Sequence, residues 1–420
     1  MHSISNRGRK RKRLSEASDW AGFDFDGQPI DTKVELIRAL IPLGLMAVQE
    51  MLEAEVYALA GVRYGRGGEH YRHGTNPGSV KLQGQRHPMR VPRIRDRQGQ
   101  EVSLSSWAAL GETREPDELL LRRVLYGLSC RNYEAAAQAL PGAIGLSAAS
   151  VSRSFVQASR AQLKAFRERD LSALDLVAVF LDGKTFGEDT MVIALGVTIE
   201  GNKVPLDFVQ TSTENARVLT PFLGSLVDRG LNLSQGLLVI IDGSKGLRSA
   251  VRQAFGKYAV VQRCQWHKRE NVVAYLSKAQ QPIWRQRLQQ AYERPNYRQA
   301  KAQLEQLFQE LKLLNESAAA SLNEGLEETL TLHDLGIFPL LGTSFKTTNC
   351  LESLNALIEQ RCGKVDHWKN SNHKHRWLAV SLMDIEPRLH RVQSYRHLPK
   401  LRAALIKALR IETQIQKQAA

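Results

Sequence analysis

Three carboxylates in this chain have the surroundings that metal-assisted phosphoryl chemistry needs. Asp182 closes the apolar run VAVFLDGKTF and Asp242 closes GLLVIIDGSKG, and glycine follows each at once. A carboxylate at the C-terminal end of a buried strand, beside a glycine turn, is where α/β sheets present catalytic or metal-binding groups. Glu352, in TTNCLESLN, sits one turn into an expected helix whose Leu351, Leu354 and Leu357 face inward. Two close carboxylates repel, and a divalent cation relieves the repulsion; oxygen ligands suit Mg²⁺ or Mn²⁺. Two such ions about 4 Å apart can activate an attacking oxygen and stabilise the leaving oxygen of a phosphodiester. Asp207, Glu188, Glu214 and Asp228 are read as exposed-loop acids and rank below these three.

The acids must be brought together by the elements that carry them. Short β-branched runs predict strands at 175–183, 191–200, 203–211, 236–243 and 258–264. Helices are expected from Asn215 to about Arg229 and from Gly246 to Phe255. The first three strands read as an antiparallel meander, and the later ones alternate with helices and should run parallel to the first. This β-β-β-α-β-α-β order predicts an α/β fold of the ribonuclease H type. In that fold the first and fourth strands are neighbours, so Asp182 and Asp242 come side by side. Residues 268–345 show only helical patterning, as in YRQAKAQLEQLFQELKLL, and read as an all-helical insertion that separates Glu352 from the aspartates.

The rest of the chain divides into further modules. Residues 1–32 carry the cationic arm RGRKRKR and read as poorly ordered. Residues 33–114 predict one or two amphipathic helices around Pro42, then a small β-hairpin or meander with Arg90, Arg93, Arg95 and Arg97 on a basic face. Arg93 and Arg95 are candidate DNA contacts. Residues 115–165 have the rhythm of a helix-turn-helix. Its third helix turns Ala148, Val151 and Phe155 inward, with Ala149, Ser150 and Arg153 opposite, facing a major groove. Residues 170–267 form the first part of the catalytic domain, and residues 346–420 complete it with basic helices. Charge supports a polyanionic partner: Lys+Arg number 58 against Asp+Glu 43, a net +15. Four cysteines without a CxxC pair, and no signal-peptide pattern, predict a reducing, cytoplasmic setting. No apolar run approaches the ~20 residues of a membrane span.

Taken together, FLDGKTF, VIIDGSKGL, the run QRCQWHKRENV and TTNCLESLN resemble the DDE transposases of the Mutator / IS256 class. The likeness is best over about 175–362 and extends more loosely upstream through VPRIRDRQG and the GLSCRNYEAAA block. It implies an enzyme of bacterial insertion sequences, working at the nucleoid, that nicks element ends and joins 3′-OH ends to target DNA. The triad maps to Asp182, Asp242 and Glu352, with Asp182 bridging two Mg²⁺ or Mn²⁺ ions and the others holding one each. Partners are double-stranded DNA, at the terminal inverted repeats and the target, and further copies in a homodimer or larger assembly. Cys264-Gln265-Trp266-His267 corresponds to the Cys-x-x-His element of that class. Two ligands cannot close a zinc site, so the element has a structural or DNA-contacting role. His267 is placed near the scissile phosphate and Trp266 against an exposed base; core packing of Cys264 and Trp266 is the alternative. Lys184, Lys245, Lys268 and Arg269 are candidate phosphate contacts. Two other functions fit the same residues: a nuclease of this fold that cuts without joining, or a DNA-binding protein that has lost activity.

Overall fold

The structure is a computed structural model that describes residues 30–65, 68–82, 85–111, 124–125, 148–212, 215–365 and 367–419. The basic arm and most of the expected helices between 115 and 147 lie outside the described residues. Two compact units are present, one of residues 1–113 and 141–144, the other of residues 114–140 and 145–420.

In the smaller unit α1 (Ile30–Ala60) runs through Pro42 as one helix. It buries Val48, Leu52 and Val56, a one-turn repeat on a single stripe, against Ile94 and Leu104. The basic stretch forms the expected meander: β1 (His70–Leu82), β2 (Gln85–Asp96) and the short β3 (Glu101–Val102), all antiparallel, followed by α2 (Ser105–Gly111).

The larger unit opens with α3 (Ala148–Arg167) and continues through β4 (Leu176–Phe186), β5 (Asp189–Thr198), β6 (Lys203–Thr211), α4 (Ala216–Asp228), β7 (Leu237–Ile241), α5 (Lys245–Phe255) and β8 (Ala259–Arg263). Helices α6 (Gln265–Val273), α7 (Gln281–Tyr292), α8 (Tyr297–Leu314) and α9 (Glu316–Asn323) follow, then two single turns at Leu326–Thr329 and Thr331–Asp334. Helices α10 (Phe338–Phe345), α11 (Asn349–Cys362), α12 (Ser371–Ile385) and α13 (Leu398–Ala419) complete the chain. The sheet order is β6-β5-β4-β7-β8. Strands β4, β5 and β6 pair antiparallel, and β4, β7 and β8 pair parallel.

Alternation assigns the sheet's two faces. Val179, Leu181, Val239 and Ile241 point to the side filled by Leu219, Leu223, Leu247 and Val251 of α4 and α5. Phe180, Leu238 and Ile240 point to the other side, filled by Leu351, Leu354 and Ile358 of α11 with residues of α3 and α12. Each fully buried Val, Leu or Ile contributes roughly 1.5–3 kcal/mol. A one-residue slip would turn every one of them to the wrong side, so the register of this sheet is firmly set.

The strand carrying Asp182 is longer than expected. β4 does not end at Gly183 but pairs with β5 as far as Phe186↔Asp189. The turn lies instead at Gly187, whose φ of 62° is readily reached by glycine. Asp182 is therefore inside a strand, at the level where the shorter neighbour β7 stops. The segment after β8 is helical throughout, with no strand among the described residues from 264 onward. Its helices α6–α9 share a core of their own, including Val272, Trp284, Leu288, Leu304, Leu311 and Leu322. Among the described residues no helix is long and apolar enough to cross a membrane.

Candidate active site

Leu181 pairs with Ile241 across the parallel β4–β7 ladder, so Asp182 and Asp242 are the next residues on adjacent strands. Both share the parity of Phe180 and Ile240, which places them on the face covered by α11. Local hydrogen bonds orient them: Gly183 N–H donates to Asp182 Oδ1 at 3.0 Å and Ser244 N–H to Asp242 Oδ1 at 2.9 Å. Ser244 then caps α5, its Oγ accepting from Leu247 N–H at 3.3 Å.

The loop after Asp242 is held by a residue that sequence reading missed. The Arg263 side chain, 7% exposed, donates to Gly243 O at 2.7 Å and to Glu324 O at 3.0 Å. Gly243 and Gly325 both have positive φ, and a Cβ on either would overlap the Arg263 guanidinium. Both backbones close on one cation, which only glycine allows. Lys268 extends the same device. Its ammonium, 1% exposed, donates to Ser321 O at 2.6 Å and Glu324 O at 2.5 Å, the unpaired carbonyls at the end of α9. Burial pushes its pKa down to about 8. Lys268 is thus a buried structural tie, and the expectation of a phosphate contact is corrected.

The Cys264–His267 element joins the aspartates to the helix of Glu352. Cys264 is buried and its N–H donates to Ile241 O at 2.7 Å, beside Asp242. A hydrogen bond to Cys264, then the charges of Cys264, Asp182 and Asp242, lift the His267 pKa to about 9, against the opposing effect of burial. Burial resists ionisation of Cys264, yet its hydrogen bonds and the His267 charge bring the thiol below its ordinary pKa. Each thus favours the charged form of the other. Thr348 stands at the N-cap of α11 but makes no side-chain cap bond. Its hydroxyl is turned toward Cys264 Sγ at 3.8 Å and His267 Nδ1 at 3.5 Å. Next to it, Gln265 N–H donates to Lys346 O at 2.9 Å, and Phe345 stacks on Phe180 with ring centroids 5.7 Å apart. The start of α11 is thereby stitched to β4 and to the beginning of α6.

Glu352 lies one turn into α11, exposed, while Leu351, Leu354 and Ile358 are buried. The structure sets Asp182 and Asp242 side by side, with His267 within reach of their charge, and places Glu352 on the helix that covers their face of the sheet. It does not gather the three acids: among the described residues no three His, Cys, Asp or Glu side chains form a group that could hold a metal ion. On the stripe between Glu352 and Glu359, Asn355 has a buried Oδ1 without a hydrogen-bond partner. Asp207, expected in an exposed loop, is instead buried in β6 and paired with Arg229 at 2.7 Å. Glu188 is exposed in the β4–β5 turn.

The expected DNA contacts are differently placed. Trp266 is 45% exposed, edge-on to His267 at 4.9 Å, so it is not a core residue. Lys245 opens α5, 88% exposed and 3.6 Å from Glu324. Arg269 bonds Glu270 at 3.1 Å and Gln289 at 3.0 Å. Lys184 pairs with Glu359 at 2.9 Å. Arg153 is exposed on α3, which also carries Ser150. Arg93 forms a two-pronged pair with Glu101, both contacts at 2.7 Å, and the Arg95 Nε is buried without a partner.

The profile described as Transposase, Mutator family, matches residues 26–391. The chain is 29% identical over 236 residues to the transposase for insertion sequence element IS905 of Lactococcus lactis subsp. lactis (strain IL1403), covering 54% of this chain and 58% of that protein. It is 28% identical over 198 residues to the transposase for IS256 in transposon Tn4001 of Staphylococcus aureus, covering 46% and 48%. Against the transposase for IS6120 of Mycolicibacterium smegmatis the identity is 27% over 291 residues, covering 68% and 88%. The chain thus spans about half the length of the first two relatives. The profile match takes in β4, β7, the Cys264–His267 element and α11 alike, and the chain belongs to the Mutator family of transposases.

Proposed function

We propose that this protein is a DNA transposase that cleaves the ends of an insertion sequence and joins the freed 3′-OH ends to target DNA. The observation that carries the reading is that Asp182 and Asp242 each directly follow the Leu181–Ile241 pair of two adjacent parallel strands, on the face covered by the helix of Glu352. The sheet order and the helical body between β8 and α11 support a ribonuclease H type of catalytic domain with an all-helical insertion.

The donor set fits hard divalent cations: carboxylate oxygens, with the orphaned Asn355 oxygen on the same helix as Glu352. Asp182, Asp242 and Glu352 would hold two Mg²⁺ or Mn²⁺ ions. When bound, the ions supply activation of the attacking oxygen and charge stabilisation at the leaving oxygen. The protein's part is placement. Asp182 and Asp242 are set by sheet register and by their own turns. His267, whose hydrogen bond to Cys264 favours its charged form, lies beside them and would face a phosphate oxygen. Water attacks the phosphodiester at the element's end in line, leaving a 5′-phosphate and releasing a 3′-OH, and that 3′-OH then attacks a target phosphodiester and displaces a 3′-OH of the target strand. No covalent protein–DNA intermediate forms, so no Ser or Tyr nucleophile is required.

The net charge of +15 supports duplex DNA as the partner. Exposed Trp266, Lys245 and Arg153 are the contacts we favour, with Ser150, Arg269, Arg93 and Arg95 as secondary ones; the last three need a change of partner or exposure. Two element ends must be handled together, which calls for a dimer or larger assembly. The test is incubation of the purified protein with candidate end sequences and Mg²⁺, mapping nicks and joints. Nicks joined to target DNA support a transposase; hydrolysis without joining would show a nuclease.

A further inference from the structure

Lys184 lies two residues beyond Asp182 on β4, so the two side chains leave the same face of the strand. Its side chain is only 15% exposed, and its ammonium pairs with Glu359 Oε2 at 2.9 Å. Glu359 is seven residues after Glu352 on α11, two turns on, so both acids share one stripe of that helix. Lys184 thus meets α11 at Glu359, while the start of that helix, on Glu352's side, lies toward Asp182 and the Cys264–His267 element. The start of α11 is already tied by Thr348 to Cys264 and His267. The Lys184–Glu359 pair is the second tie, two turns farther along. Two ties fix both the axial position and the rotation of a helix, where one fixes neither.

We propose that Lys184 is a positioning residue that acts through Glu359 to hold α11 on β4 and so sets the approach of Glu352 to Asp182. This rests on the transposase reading, and it replaces the assignment of Lys184 as a phosphate contact. The pair is worth little as stability, because Glu359 is 63% exposed and half-exposed ion pairs are well screened. Its contribution is geometric. Misplacing a catalytic group by about 1 Å costs as much as 100-fold in rate.

The experiment compares wild type with Lys184→Ala, Glu359→Ala and the swap Lys184→Glu/Glu359→Lys in the full chain. Three quantities are read: kcat for Mg²⁺-dependent cleavage, DNA affinity against salt in Ca²⁺, and Mn²⁺ affinity by calorimetry. Each single variant is expected to lower kcat about tenfold with DNA affinity unchanged, and the swap to restore most of it. Lys184→Ala is also expected to weaken Mn²⁺ binding. That is opposite to simple electrostatics, in which loss of a nearby cation tightens binding of another. A Lys184→Ala protein that binds DNA more weakly, with a salt slope reduced by about one, and a Glu359→Ala protein of normal kcat would overturn the proposal in favour of a phosphate contact. Tighter Mn²⁺ binding by Lys184→Ala would also overturn it. A wild-type protein that binds Mn²⁺ but cleaves no end sequence would count against the transposase reading alone, since the Mn²⁺ comparison still decides the role of Lys184.

Discussion

Replacing Gly325 by alanine tests whether the helical body is joined to the Asp242 loop through the Arg263 guanidinium. Gly325 has φ +63°, and the left-handed region costs an L-residue roughly 1–2 kcal/mol. The new Cβ would also occupy the space of the Arg263 guanidinium, which is 7% exposed and has no room to withdraw. The displaced group loses one or both of its bonds to Glu324 O and Gly243 O, at 3.0 and 2.7 Å. Each hydrogen bond to a charged group is worth about 1.5–3 kcal/mol. The sum is about 2.5–5 kcal/mol for loss of one bond. Gly336→Ala is the control: it closes a helical turn at φ +68° and nothing lies within 4 Å of the added Cβ, so only the backbone cost applies. Urea unfolding of both variants, read by tryptophan fluorescence, should separate them by at least about 1.5 kcal/mol. Cleavage should fall for Gly325→Ala and hold for Gly336→Ala, because Gly243 directly follows Asp242. Equal destabilisation of the two variants would refute the reasoning.

Three further outcomes are expected. The folded pKa of Lys268, about 8, lies below its ordinary 10.5, so the unfolded chain holds more protons between those values and stability should rise with pH across that window. Lys268→Met should lose that slope in melting scans from pH 7 to 10; an unchanged slope would remove Lys268 as its source. The His267 imidazole should titrate near 9, its stabilising contribution present below 6.5 and lost as pH rises through 9. Cys264→Ser should move that titration back toward 6.5 by NMR, and a wild-type titration already at 6.5 would contradict the pair. Trp266→Ala should weaken DNA binding by about 1–3 kcal/mol if the indole stacks on a base, with the melting temperature unchanged; undiminished binding would exclude stacking.

Much of the larger unit was legible because its signals are local. Runs such as LLVII are apolar on both sides, as strands covered by helices on two faces must be, and the strand limits differ from expectation by only a few residues. Helical periodicity marked the segment after β8. Asp182 and Asp242 were legible because a carboxylate ending such a run is costly unless it has a use. Gly183 misled, since glycine after an aspartate suggests a turn, while the chain continues to Gly187. Lys268 misled because KRE looks like a solvated helix face. Its burial depends on carbonyls of Ser321 and Glu324, more than fifty residues away. Arg263 was invisible for the same reason, and Thr348 reads from the sequence only as a candidate helix cap: nothing in a residue's type records which carbonyl or thiol it will meet.

The central claim is that Asp182, Asp242 and Glu352 act as one metal-dependent set on DNA. Asp182→Asn, Asp242→Asn and Glu352→Gln remove one charge each and keep the side chain's shape. Cleavage of a matched element end should be measured with Mg²⁺ beside binding of the same DNA in Ca²⁺. Each variant is predicted to lose cleavage while binding the DNA as wild type does. Full cleavage by any one of the three would contradict the account at that residue, and full cleavage by Glu352→Gln would show that α11 does not supply the third acid.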